Sequence, residues 1–107
     1  MKIRISEQAK FQPERMAKIA LARTSRAQLD LYCLEPGQEQ KAHVHDDMDK
    51  FYVVVDGRGH FLVDGVETTA EPGEAVVAAA GASHGVRNEG PGRLTVLVVV
   101  SPPPPHA

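Results

Sequence analysis

The chain has 107 residues, 42% of them hydrophobic and 24% charged, with a formal net charge of −2, the make-up of one globular domain. Its Lys and Arg residues are scattered, which leaves no basic footprint for nucleic acid, and no apolar run approaches the ~18 residues of a membrane span. A single cysteine, Cys33, excludes an internal disulfide; with no signal-peptide core after Met1, a cytoplasmic setting is expected.

Residues 1–26 read as an N-terminal arm, a strand or a short helix that offers a dimer contact. Met16, Ile19 and Ala20 recur at helical spacing after Pro13 and Glu14, yet residues 18–23 alternate loosely enough for a strand. From Ala27 onward the pattern is β. Gln28 to Leu34 places Leu29, Leu31 and Cys33 on one face and Tyr32 and Leu34 on the other, and Glu35-Pro36-Gly37 ends it. Gln38 to His45 is polar and extended. Phe51 to Val55 is aromatic and β-branched and stops at Asp56-Gly57. His60 to Val63 and Val66 to Ala70 flank Asp64-Gly65, a dipeptide favoured in two-residue hairpins. Glu74 to Ala78, a segment from His84 to Asn88, and Leu94 to Val100 complete the series. Short strands punctuated by Gly and Pro predict an all-β, antiparallel sandwich or barrel over residues 27–100. Residues 101–107, with four consecutive prolines, read as an extended polyproline tail.

The chemistry gathers in two stretches. His43 and His45 stand two apart on an extended segment and so project to one face, where neutral imidazoles suit a metal ion. Asp46, Asp47, Asp49 and Asp56 nearby favour a cation over a phosphate. The second stretch carries His84 behind Gly81, with Asn88 four residues on.

Spacing ties the two together. The first runs Gly37, five residues, His43-Val44-His45, four residues, Lys50, six residues, Gly57. The second runs Gly73, five residues, Ala79-Ala80-Gly81, two residues, His84, three residues, Asn88. Between them lie 15 residues, Arg58 to Pro72. This pattern resembles the paired motifs of the cupin superfamily, in the form found in small bacterial single-domain members, and spans Leu29 to Val100. The resemblance implies a jelly roll, or double-stranded β-helix, with His43, His45 and His84 holding a divalent transition metal. Three histidines with open positions suit Mn, Fe, Co, Ni, Cu or Zn. It implies a small polar ligand or substrate, handled by an oxygenase or isomerase reaction or simply bound, and a homodimer.

Two positions depart from the family pattern. Ala79 replaces a proline, and Lys50 stands where the family places a glutamate ligand. A protonated amine cannot ligate a cation and repels it. Three outcomes follow: Lys50 turns aside, Asp49 swings in as the carboxylate, or the metal is lost and Lys50 binds a substrate anion. Period-2 reading alone favours Phe51, Val53 and Val55 inside, with Asp49. The Gly57 anchor favours Lys50 and Tyr52 inside, where both would meet the ligand. Phe51, Val53 and Val55 would then form an outward apolar row, covered by the arm or by a second subunit. His60 is expected at the surface or a dimer face, His106 in solvent, and Cys33 as a small buried hydrophobe.

Overall fold

A computed structural model describes residues 1–105, so His106 lies outside the described residues. Nine strands follow a short 3₁₀ turn at Ile5–Glu7: β1 (Ala17–Arg23), β2 (Gln28–Leu34), β3 (Glu39–Val44), β4 (Asp49–Asp56), β5 (Gly59–Val63), β6 (Val66–Ala70), β7 (Ala75–Ala78), β8 (Ser83–Arg87) and β9 (Leu94–Ser101). All pairings are antiparallel and fall into two sheets, β1-β2-β9-β4-β7 and β3-β8-β5-β6. The ambiguous segment of the arm is a strand. Ala17 to Ala20 pair with Cys33 to Asp30, and a register shift around Leu21 bends the edge.

Alternation along each strand builds the core. Tyr32 and Leu34 from β2, Tyr52 and Val54 from β4, and Val96, Val98 and Val100 from β9 point to one side. They meet Phe61, Ala70 and Val86 from the other sheet in one buried cluster. Residues of opposite parity on β2, Leu31 and Cys33, are equally buried, on the outer face of the five-stranded sheet. There Ala17 joins them, and Ile5, Ala9, Phe11, Ile19, Leu21 and Leu97 pack over the top. Folding the arm across that face therefore makes both sides of β2 interior, which is why Leu31 to Leu34 reads as a continuous apolar run. Cys33 is a free, buried thiol of this layer, held above its ordinary pKa by burial against a weaker opposing hydrogen bond at Lys10.

Turns carry the signals expected of them. Asp64 and Gly65 both have positive φ, 48° and 78°, and join β5 to β6 as a two-residue hairpin. Gly57 has φ of 82°, and a Cβ there would collide with the Arg93 carbonyl oxygen, so both conformation and space require glycine. Asn88 is buried with its amide fully used. Its Nδ2 donates to the Leu34 and Gly92 carbonyls at 3.0 and 2.9 Å, and its Oδ1 accepts from the Gly90 N–H at 3.1 Å. Its backbone also bonds to Gly37 and Gln38 at 2.8 and 2.9 Å. This motif residue therefore clamps three chain segments together at the end of β8 and has no polar atom left for a ligand.

Replacing Asn88 with Ala strands the buried carbonyl of Leu34 and is expected to cost about 2 kcal/mol of stability. Urea denaturation followed by circular dichroism measures this, and an unchanged midpoint would refute the clamp.

Candidate metal centre

Strand pairing creates the site. In the β3–β8 ladder His43 lies directly opposite His84, and His45 follows just beyond the end of β3. Between His43 and Gln40 the register slips: Lys41 and Ala42 face the single residue Gly85, which is a β-bulge. A Cβ on Gly85 would stand 2.8 Å from both the Ala42 nitrogen and the Gln40 carbonyl oxygen, so only glycine lets the bulge close. The three imidazoles gather as a result. Ring centroids are 4.4 Å apart for His43 and His84, 4.7 Å for His43 and His45, and 5.6 Å for His45 and His84. One ring nitrogen from each lies within 4.8 Å of the others.

Hydrogen bonding fixes the tautomers of two rings. The Nδ1 atoms of His43 and His84 lie 2.9 and 3.0 Å from the carbonyl oxygens of Lys41 and Ala82. A carbonyl oxygen only accepts, so each Nδ1 carries the hydrogen and each Nε2 presents a lone pair. His84 is 1% exposed, and its Nε2 is buried with no partner in the protein. Leaving such an acceptor unmet costs roughly 1–3 kcal/mol, and a metal ion is the partner that an imidazole lone pair beside two others would take. Burial pushes the pKa of His84 down, against the opposing Ala82 hydrogen bond and with Lys50, His43 and His45 adding to the shift. Burial, His43 and Lys50 lower His45 as well, with Asp47 opposing. Both rings are therefore neutral at pH 7 and need lose no proton to ligate.

Lys50 points inward. β4 pairs Lys50 with Val100 on one side and Ala78 on the other, and buries Lys50, Tyr52 and Val54 while Phe51 and Val55 stay exposed. The reading that put Phe51, Val53 and Val55 inside, with Asp49 as ligand, is thus corrected. Both rows of β4 are apolar, so alternation alone does not choose between them. Asp49 is occupied elsewhere: its Oδ1 accepts the Ala80 N–H at 2.8 Å and fixes the turn after β7. Lys50 is 4% exposed, its Nζ donates to the Tyr32 hydroxyl at 3.2 Å, and it stands 5.6 and 5.9 Å from the centroids of Tyr32 and Tyr52. Burial lowers its pKa to about 8, helped by Lys18 and opposed by Asp30, so it remains an ammonium at neutral pH.

Tyr52 spans the core and the site. Its ring packs 5.1 Å from Phe61 and 6.4 Å from His84, and its hydroxyl is buried without a partner. Burial raises the phenol pKa, so the hydroxyl stays a hydrogen-bond donor. Asp30 and Gln40 were not singled out from sequence. Asp30 is 1% exposed; one of its oxygens accepts from Gln28 Nε2 at 2.8 Å, while Oδ2 is unpaired, as is Gln40 Oε1. The signal was parity: Gln28, Asp30 and Tyr32 alternate on one face of β2. His60 takes no part. It is half-buried, with Nε2 3.2 Å from Glu89, and lines a groove of about 160 Å³ over Gly85, on the face of β8 opposite His84.

The cupin domain model Cupin_2 matches residues 30–100. Among solved structures, the protein TT1209 from Thermus thermophilus is 44% identical, with 97% of this chain and 100% of that one covered and a TM-score of 0.93. An RmlC-like cupin protein from Desulfovibrio desulfuricans is 28% identical over 97% and 99% of the two chains, with a TM-score of 0.86. KdgF from Halomonas sp., at 22% identity, 90% and 88% coverage and a TM-score of 0.79, shares the fold. No curated protein matches the chain. Among the described residues, no helix is long and apolar enough to cross a membrane.

The depressed pKa of Lys50 has a sign for stability. A buried ammonium is penalised below the folded pKa, so the protein gains stability as pH rises from about 8 towards 10.5. Lys50→Met removes the penalty and is expected to be more stable than the parent at pH 7, by at most roughly 3 kcal/mol. The gap should narrow as pH climbs through that window. Parallel melting curves for the two proteins from pH 7 to 10 test this, and a constant gap would contradict it.

Proposed function

The chain belongs to the cupin family, and we propose that it holds a divalent transition metal through His43, His45 and His84 and uses it on a small polar molecule. The observation that carries this is the buried, unpartnered Nε2 of His84, its lone pair exposed by the Ala82 hydrogen bond and grouped with two further imidazoles. When bound, the metal would supply Lewis acidity to a substrate oxygen or a position for dioxygen, the chemistry of an isomerase or an oxygenase. The protein's own contribution is positional. Lys50 offers a charged donor and Tyr52 a neutral one, both from the inner face of β4, to orient an oxygen-bearing substrate. The apolar cluster of Val54, Phe61 and Val86 behind them limits water. A second reading, a non-catalytic cupin that binds its ligand with a weakened metal site, draws on the ammonium of Lys50 in the place of a carboxylate.

Protein purified without a metal-chelating resin is expected to carry close to one equivalent of a transition metal by elemental analysis, and His84→Ala far less. Equally negligible metal in both proteins, including after reconstitution, would sink the metalloprotein reading.

We further propose a homodimer that covers the outer face of β4 and β7. The arm reaches Leu31, Cys33 and Leu97, but Phe51 and Val55 remain 39% exposed and Val77 54% exposed on that sheet. Sedimentation velocity should give a dimer for the parent and a monomer for Phe51→Glu. A monomeric parent at tens of micromolar would rule this out.

A further inference from the structure

Lys50 neighbours the histidine cluster across Tyr52: its Nζ lies 5.9 Å from the Tyr52 ring centroid, and that ring lies 6.4 Å from His84. Lys18 and Lys50 flank the Tyr32 ring, each 5.6 Å from its centroid. Against these two ammoniums stand Asp30, which is buried, and Asp47, which is exposed. A histidine ligates as a neutral imidazole, so the three candidates put no negative charge on the ion itself. A divalent cation there adds two further positive charges beside Lys50, in an interior where charge is poorly screened.

Resting on the metal reading above, we infer that the site binds its metal together with a small carboxylate, whose anionic group lies between Lys50 and the three histidines and supplies the negative charge that those three ligands do not. Three observations point to that class. Lys50 Nζ spends one hydrogen bond on Tyr32 and has donors to spare. Tyr52 holds a buried, unpartnered hydroxyl on the same face of β4, two residues away. Among the described residues no arginine is buried, so no guanidinium joins Lys50 in the interior. One ammonium and one hydroxyl match the two oxygens of a carboxylate, whereas the further oxygens of a phosphate would find no third donor residue on the inner face of β4. Metal and carboxylate are then coupled, each tightening the other by the same factor.

Cobalt(II) is the probe, because its visible absorbance reports ligation directly. Titrations of the full chain at matched ionic strength, in chloride, glycolate or inorganic phosphate, give the affinity in each, corrected for cobalt complexed by the anion itself. Glycolate is expected to tighten cobalt at least about fivefold over chloride, with phosphate having little effect. Lys50→Glu, which restores an internal carboxylate, should bind cobalt more tightly in chloride and lose the glycolate effect. Lys50→Gln, the milder change, should also weaken the coupling, and circular dichroism confirms folding of both. Equal cobalt affinity in chloride and glycolate, or tightening by phosphate alone, overturns the inference while leaving the metal site standing. No cobalt in any protein or buffer overturns the metal site as well.

Discussion

The site depends on one ladder, the antiparallel pairing of β3 with β8. It sets His43 across from His84, and it does so only because the strand slips by one residue at Lys41 and Ala42. Without the slip, a one-residue change of register would send every side chain beyond it to the opposite face. The slip needs Gly85, whose missing side chain leaves room for the Gln40 and Ala42 backbone. The same bulge also sets the Lys41 carbonyl where it orients His43, and the turn before β8 places the Ala82 carbonyl for His84. Position and tautomer of His43 and His84 thus come from backbone geometry rather than from other side chains.

Lys50 enters this frame from the opposite sheet. Its burial is tolerable because Tyr32 accepts a hydrogen bond and two aromatic faces lie within 6 Å or so. Those contacts soften the desolvation without neutralising the charge. The nearest buried carboxylate, Asp30, keeps one oxygen unpaired and forms no ion pair with Lys50. The interior therefore keeps separated charges of opposite sign with unfilled hydrogen-bonding capacity, in a core otherwise lined by Val, Leu and Phe. Stability alone would favour removing them, so a binding role accounts for them better than a packing role.

The sequence made the architecture legible because the turns are chemically explicit. Asp64-Gly65 and Asp56-Gly57 mark reversals that few other dipeptides would make, and β-branched runs fill the gaps between them. The candidate ligands were legible for a different reason: their spacing within paired motifs, not their local pattern. Two things were less plain. Alternation alone leaves β4 ambiguous because both of its faces are apolar; the Gly57 spacing favours Lys50 and Tyr52 inside, and pairing with β9 and β7 places them there. The burial of Leu31 and Cys33 on the outer face of β2 needed the arm, whose strand character emerges from pairing with β2 rather than from its own periodicity. Asp30 and Gln40 escaped notice because each is an ordinary polar residue on a strand until the opposite sheet closes over it.

Asn88 and Lys50 show how motif positions divide. Asn88 uses every polar atom of its amide within the protein, and so acts as a fixed joint between the end of β8 and the turns around it. Lys50 leaves donors unspent in the interior, where the Tyr52 hydroxyl and the His84 Nε2 are also unpartnered. A buried group that is satisfied explains itself by the fold. A set of buried groups left unsatisfied together, donors on β4 and an imidazole lone pair on β8, is what a bound ligand would use, and the fold alone gives no account of it.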